Sequence, residues 1–206
     1  MKTLTQIKSS LFSDNGQSSQ LANRFVQGWG ASNPAGTVIV RDLAAEPVPH
    51  LDATRFGAFL AKPEERTAQQ AEILGYSDGL IDELKRADLV VLGLPMYNFG
   101  VPSTLKAYFD HIARAGVTFR YTEKGPVGLL TGKKVLVFAA RGGLYQGTPR
   151  DTQTVYVRDF LAFIGMTDIE FVYAEGLAMS VVAKDESLIK ARAYADRLAL
   201  RHRAAA

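Results

Sequence analysis

Residues 89–94 read Leu-Val-Val-Leu-Gly-Leu, with no polar side chain among them. A strand with one wet face alternates apolar and polar positions, so a short run without alternation belongs in the middle of a parallel sheet, covered on both faces. Strand and helix patterns alternate along the rest of the chain, the mark of βαβ units that supply such covers. Strands are expected at Thr3–Lys8, 37–40, 89–94, Lys134–Ala140 and 169–174, and helices at 18–29, 67–87, 104–114, 156–164 and 184–203. In the first helix Leu21, Ala22, Phe25, Val26 and Trp29 recur at three- and four-residue steps and draw one apolar stripe. Residues 41–59 read as irregular, because Pro47 and Pro49 interrupt any helix there. Residues 116–130 read as a hairpin-like excursion. The expected fold class is α/β, a three-layer sandwich around a central five-stranded parallel sheet.

With 206 residues the chain is expected to form a single domain, 1–206, with one sizeable core. Its net charge of +3 is spread among interspersed acids and bases without a basic run, which argues against nucleic-acid binding. No apolar run approaches the roughly 18 to 20 residues that cross a bilayer, so no membrane span is expected. Residues 1–10 read as the first strand and not as a secretory signal, and the mature protein is expected to begin there. The absence of cysteine excludes disulfides, thiol nucleophiles and thiolate metal sites and fits a cytoplasmic location. His50, His111 and His202 lie far apart in no metal-ligand spacing, so no metal is expected.

Three loops follow strands in this pattern. The first contains Ser9 and Ser10 and enters a helix through Gly16, Gln17, Ser18 and Ser19. Hydroxyls, free backbone N–H groups and the positive helix end together suit a phosphate dianion. The second runs Pro95, Met96, Tyr97, Asn98, Phe99, Gly100, Val101, Pro102, Ser103, with flat aromatic faces, an amide and two prolines that stiffen it. The third is Arg141, Gly142 and Gly143, where glycine lets the main chain approach a ligand closely. Each alone also reads as an ordinary cap or turn. In an open α/β sheet all three fall at the carboxyl ends of strands, where ligands bind. The chain carries neither a Gly-x-x-x-x-Gly-Lys nor a Gly-x-Gly-x-x-Gly pattern, which favours a mononucleotide.

These residues resemble a known family. Lys8 to Ser10, Gln17 and Ser18, the run Pro95 to Phe99, the stretch Arg114 to Thr122, the segments Thr131 to Lys134 and Arg141 to Gly143, Phe163 to Gly165, and Ala174 to Gly176 are similar to the FMN-dependent NADH-azoreductases. That family is also described as FMN-dependent NADH:quinone oxidoreductases. The resemblance implies a flavodoxin-like fold and a homodimer with non-covalent FMN at the subunit interface. It assigns the phosphate to Ser10, Gly16, Gln17 and Ser18, and the flavin ring to Pro95, Met96, Tyr97, Asn98 and Phe99 with Ala140, Arg141, Gly142 and Gly143. Members often carry serine where this chain has Gly16 and Ala140, so backbone contacts are expected to replace those two hydroxyls. Tyr121 and Phe163 match positions that face the partner's flavin, and the substrate slot is expected to comprise Asn98, Phe99, Phe119, Tyr121 and Phe163.

The activity implied is a ping-pong transfer of two electrons from NADH, or NADPH, through FMN to quinones and azo compounds. No side chain is assigned a catalytic role of its own. The rival readings are a flavodoxin-type electron carrier without turnover, and a hydrolase using Ser9 or Ser10. Small carriers are shorter and acidic, unlike this mildly basic chain with its 116–130 excursion, and a hydrolase lacks a histidine after the later strands.

Overall fold

The structure, a computed structural model, describes residues 2–203; Met1 and the alanine tail 204–206 lie outside them. Its elements in chain order are β1 (Thr3–Lys8), α1 (Gln17–Ser32), β2 (Thr37–Asp42), α2 (Ala53–Leu60), α3 (Ala68–Arg86), β3 (Leu89–Pro95), α4 (Ser103–Ile112), β4 (Phe119–Thr122), β5 (Gly125–Gly128), β6 (Lys134–Ala140), α5 (Thr152–Phe163), β7 (Asp168–Ala174) and α6 (Val181–Arg201). Five strands form one parallel sheet in the order β2-β1-β3-β6-β7. β4 and β5 pair antiparallel as a separate hairpin, as the 116–130 pattern predicts.

The all-apolar strand is the centre of the sheet. Leu89 and Val91 face one core with Leu21, Phe25 and Trp29 of α1 and Leu188, Ala195 and Leu198 of α6. Val90, Leu92 and Leu94 face the other, with Leu80 and Leu84 of α3, Leu105 and Phe109 of α4 and Val157 and Leu161 of α5. Both faces of β3 are therefore dry, which is why no polar residue interrupts it. The chain leaves β1 toward one sheet edge and β3 toward the other, so the ends of these two strands flank the crevice at which such sheets bind ligands.

Three expectations from the sequence are corrected. Residues 41–59 are not irregular throughout: β2 continues to Asp42 and α2 begins at Ala53. Pro47 and Pro49 precede the cap Asp52, whose carboxylate accepts the Arg55 N–H at 2.8 Å, so neither proline interrupts that helix. The helices expected at 156–164 and 184–203 start earlier, at Thr152 and Val181, because Asp151 and Ser180 cap them by accepting the N–H groups of Thr154 and Ala183. The helix expected to reach Arg114 stops at Ile112, where the Arg114 carbonyl instead accepts the Val117 and Thr118 N–H groups in a turn.

Candidate functional site

Three loops at the carboxyl ends of β1, β3 and β6 enclose an open cleft of about 230 Å³. Ser10, Gly16 and Gln17 line it from the first, Pro95, Met96 and Tyr97 from the second, and Ala140, Arg141 and Gly142 from the third, with Leu177 at its side.

The first loop is fastened at both ends. The Ser9 hydroxyl donates to the Gly93 carbonyl at 2.7 Å, Lys8 pairs with Asp14 at 2.6 Å, and the Ser13 hydroxyl donates to the Asp42 carboxylate. A short 3₁₀ turn, Ser13–Asn15, delivers the chain to Gly16. A Cβ on Gly16 would fall 2.1 Å from Ser10 Oγ and 2.6 Å from Ser10 Cβ, so in this chain the Ser10 side chain fills the space that a side chain at position 16 would need. A Cβ on Gly93 would likewise press on the Ser18 carbonyl at 3.3 Å, and its absence lets α1 start directly over β3.

No side chain caps α1. The N–H groups of Gln17, Ser18 and Ser19 find no acceptor among the described residues, and the Gly16 N–H is already turned back to the Ser13 carbonyl at 3.3 Å. The buried Ser18 and Ser19 hydroxyls and Gln17 Oε1 also lack partners. Buried polar groups left unpaired cost free energy, so the N–H and hydroxyl donors at this helix start are chemically matched to an anion, while Gln17 Oε1, an acceptor, calls for a donor instead.

In the second loop Tyr97 and Gly100 exchange two backbone hydrogen bonds, at 3.2 and 3.0 Å. Asn98 and Phe99 between them have φ of 49° and 63°, the left-handed geometry of a two-residue type I′ turn. Asparagine tolerates that region, whereas a phenylalanine there costs about 1 kcal/mol or more and persists only where neighbours hold it. Tyr97 reaches back to the first loop, its hydroxyl 3.5 Å from Ser10 Oγ and accepting the Leu11 N–H at 3.4 Å.

In the third loop the glycines, not the arginine, keep free donors. The Arg141 N–H is committed to the Ala174 carbonyl at 2.9 Å, and the Met96 N–H to the Ala140 carbonyl at 3.0 Å. The N–H groups of Gly142 and Gly143 have no acceptor among the described residues. The Arg141 side chain is fully buried and turned inward, pairing with Asp151 at 2.9 Å and Glu175 at 3.1 Å over the ring of Tyr173. Burial pushes the Asp151 carboxyl up, but its hydrogen bonds from Arg141 and Thr154 outweigh this and hold it below the usual carboxylate range. The arginine is thus a brace and offers no charge to the cleft.

One chain does not assemble the whole expected slot. Phe119 packs on Phe163 with centroids 4.2 Å apart and on Tyr121 at 5.5 Å. Phe163 ends α5, while Thr152 at its start donates to the Phe99 carbonyl. The 12 residues of α5 span about 18 Å, so Asn98 and Phe99 stand at one end and Phe119, Tyr121 and Phe163 at the other.

His111 stands away from the cleft, buried edge-on between Phe59 and Tyr76 with Nδ1 donating to the Ala107 carbonyl at 3.0 Å. The Ser9 hydroxyl is committed to Gly93 and the Ser10 hydroxyl contacts Tyr97 and the Phe12 N–H, so among the described residues neither serine has the histidine base a hydrolase would need.

Three residues around the cleft went unread in the sequence, Thr152, Gln153 and Tyr145, and Glu175 entered only through the family resemblance, without a role. Tyr145 meets Phe99 edge-on at 5.6 Å, and Glu175 accepts the Tyr145 and Gln146 N–H groups at 3.0 Å each. Only Asp151, three residues before Thr154, carried a signal: read as a helix cap, it would have moved α5 toward the loops.

The family model described as Flavodoxin-like fold matches residues 1–198. An FMN-dependent NADH:quinone oxidoreductase of Cellvibrio japonicus is 62% identical over 192 residues, 93% of this chain and 96% of that protein. A protein of the same name from Alcanivorax borkumensis is 57% identical over 186 residues, 90% of this chain and 94% of that protein. Among solved structures, an azoreductase from Bacillus anthracis superposes with a TM-score of 0.89 at 28% identity, covering 98% of this chain and 100% of that one. An FMN-dependent NADH-azoreductase of Bacillus anthracis in complex with FMN superposes with a TM-score of 0.85 at 27% identity, covering 97% and 100%.

Proposed function

The chain belongs to the Flavodoxin-like fold family, among the FMN-dependent NADH:quinone oxidoreductases, and from that premise we propose that its cleft holds FMN and passes two electrons from NADH to quinones and azo compounds. The observation that carries the reading is the uncapped start of α1, where three N–H groups and the Ser18 and Ser19 hydroxyls lack partners and Gln17 lines the cleft. These donors suit a phosphate, and Gln17 Oε1, an orphaned acceptor, suits a hydroxyl of a ribityl chain. Ser10 and Gly16 shape the phosphate loop. Pro95, Met96, Tyr97, Asn98 and Phe99 offer a rigid bed for a flat ring, and Ala140 to Gly143 form its other bank, with the Gly142 and Gly143 N–H groups directed to the polar edge.

When bound, FMN supplies the electron-transfer chemistry; the protein supplies placement and electrostatics. The unpaired Gly142 and Gly143 N–H groups would serve as fixed donors for negative charge on a flavin held there. Phe99, half exposed, and Asn98 face the substrate side of the bed. NADPH as donor belongs to the same reading.

The active unit in this reading is a homodimer of single-domain subunits. A groove of about 440 Å³ beside Phe99, Val101, Lys106 and Tyr156 opens at the start of α5, and the Phe119, Tyr121 and Phe163 cluster, with Tyr121 74% exposed, sits at the opposite end of that helix. A two-fold axis brings each such patch against the other's, so that a partner's aromatics complete the slot. A cytoplasmic location goes with the same reading. Among the described residues no helix is long and apolar enough to cross a membrane.

The test is spectroscopic. Purified protein should show flavin absorbance that bleaches with NADH and returns with a quinone, through many turnovers. Flavin that binds without catalytic loss of NADH would identify a carrier instead.

A further inference from the structure

Gln153 is buried at the start of α5, and its carboxamide is shared between two of the three loops. Nε2 donates to the carbonyls of Pro95 at 2.8 Å and Gly100 at 3.1 Å, and Oε1 accepts from Arg141 Nε at 3.3 Å. Carbonyls only accept and a guanidinium only donates, so this orientation of the amide is the one that satisfies all three. A carboxylate has no donor for the carbonyls, and an ammonium no acceptor for the arginine.

The two carbonyls bracket the left-handed Asn98–Phe99 turn, and the neighbouring Thr152 hydroxyl holds a third, that of Phe99. On the other side Arg141 is fixed by Asp151 and Glu175, and Glu175 fastens the backbone at Tyr145 and Gln146. A strained turn keeps its geometry only where its surroundings over-determine it. Here that support comes from α5, through Gln153, and reaches the glycine loop by way of one arginine.

We propose that Gln153 is a positioning residue for the flavin reaction: its carboxamide sets the Tyr97–Gly100 turn against the ring and locks it to the Gly142–Gly143 loop, so that both banks of the cleft hold one spacing. This rests on the cofactor reading above. Gln153→Leu removes both carbonyl donors and strands Arg141 Nε. Gln153→Glu keeps the acceptor for Arg141 but, when ionised, has no donor; once protonated, it regains one. A role in positioning therefore gives Q153E a pH-dependent deficit, which simple loss of packing does not.

The probe is FMN itself, its dissociation constant measured on the holoenzyme by fluorescence of released flavin, with visible circular dichroism of the bound ring as a second signature. Q153L should weaken FMN by about 10-fold, the equivalent of a lost buried hydrogen bond to the loop. Q153E should be weakened at about pH 8 and recover toward wild type at about pH 5.5, with the dichroism recovering in parallel. Thr152→Val, at the exposed rim, should weaken FMN by about threefold and keeps the test open if Q153L does not fold. Wild-type affinity in T152V together with a Q153E deficit that is constant with pH overturns the proposal. A wild-type protein that takes up no FMN overturns the cofactor reading instead.

Discussion

Gly16 lies so close to Ser10 that a Cβ on it would fall 2.1 Å from the serine hydroxyl. Gly16→Ala must push Ser10 and the turn apart, so FMN should bind about 10-fold more weakly, read by titrating flavin-free protein, while a surface mutation remote from all three loops leaves affinity alone. An unchanged dissociation constant would show that the turn has slack that the contact denies.

Ser18→Ala separates stability from binding. Its hydroxyl is buried without a partner, so removing it should leave the melting temperature of the flavin-free protein unchanged or slightly higher. The same variant should lose about 10-fold in FMN affinity, because the hydroxyl finds its partner only in the complex. Calorimetry with and without FMN reads both.

Arg141→Met leaves the Asp151 and Glu175 carboxylates buried without their cation. Such a loss costs about 3–5 kcal/mol, measurable by urea unfolding. Adding Asp151→Asn and Glu175→Gln to the same chain should restore a large part of it, since the uncompensated charge is then gone; no recovery would mean that the guanidinium acts through packing alone.

Acid should destabilise the fold through His111. Burial, only partly offset by its bond to Ala107, lowers the pKa of this imidazole in the folded state below the ordinary 6.5. As pH falls through 6.5 the unfolded chain takes up a proton that the folded one refuses, so stability drops with falling pH. His111→Gln should lose less stability than wild type between about pH 7.5 and about pH 5.5. His202, whose pKa burial also lowers, remains in both proteins and cancels from the comparison. Parallel pH curves would remove His111 from the explanation.

The proposed sharing of sites between two subunits predicts complementation. Phe99→Ala and Phe163→Ala damage opposite ends of α5, and each homodimer should be poorly active with quinone. Unfolded and refolded together, they should regain about a quarter of wild-type activity, because half of the dimers carry one intact site. Mixtures no better than their parts would place all the aromatics of a slot on one chain.

The sheet was legible because burial on both faces leaves an unmistakable apolar run at 89–94, and the hairpin because Gly125, Pro126 and Gly128 punctuate it. Helix starts were less so: Asp52, Asp151 and Ser180 act as caps through single hydrogen bonds that no periodicity announces. The Asn98–Phe99 turn was invisible in kind, since phenylalanine is not a residue that selects left-handed backbone and is held there by Thr152 and Gln153, more than fifty positions away. Arg141 read as a loop residue near a ligand. Its burial depends on Asp151 and Glu175 arriving from two other elements, a coincidence that exists only in three dimensions.

The most direct measurement is a crystal structure of the protein grown with FMN. It should show the phosphate on the N–H groups of Gln17 to Ser19 and the Ser18 hydroxyl, and the ring between Met96–Phe99 and the Gly142 and Gly143 N–H groups, with a second copy's Tyr121 and Phe163 over its open face. Flavin bound elsewhere, or a rim too narrow to admit the ring while the protein turns over NADH, would contradict the account.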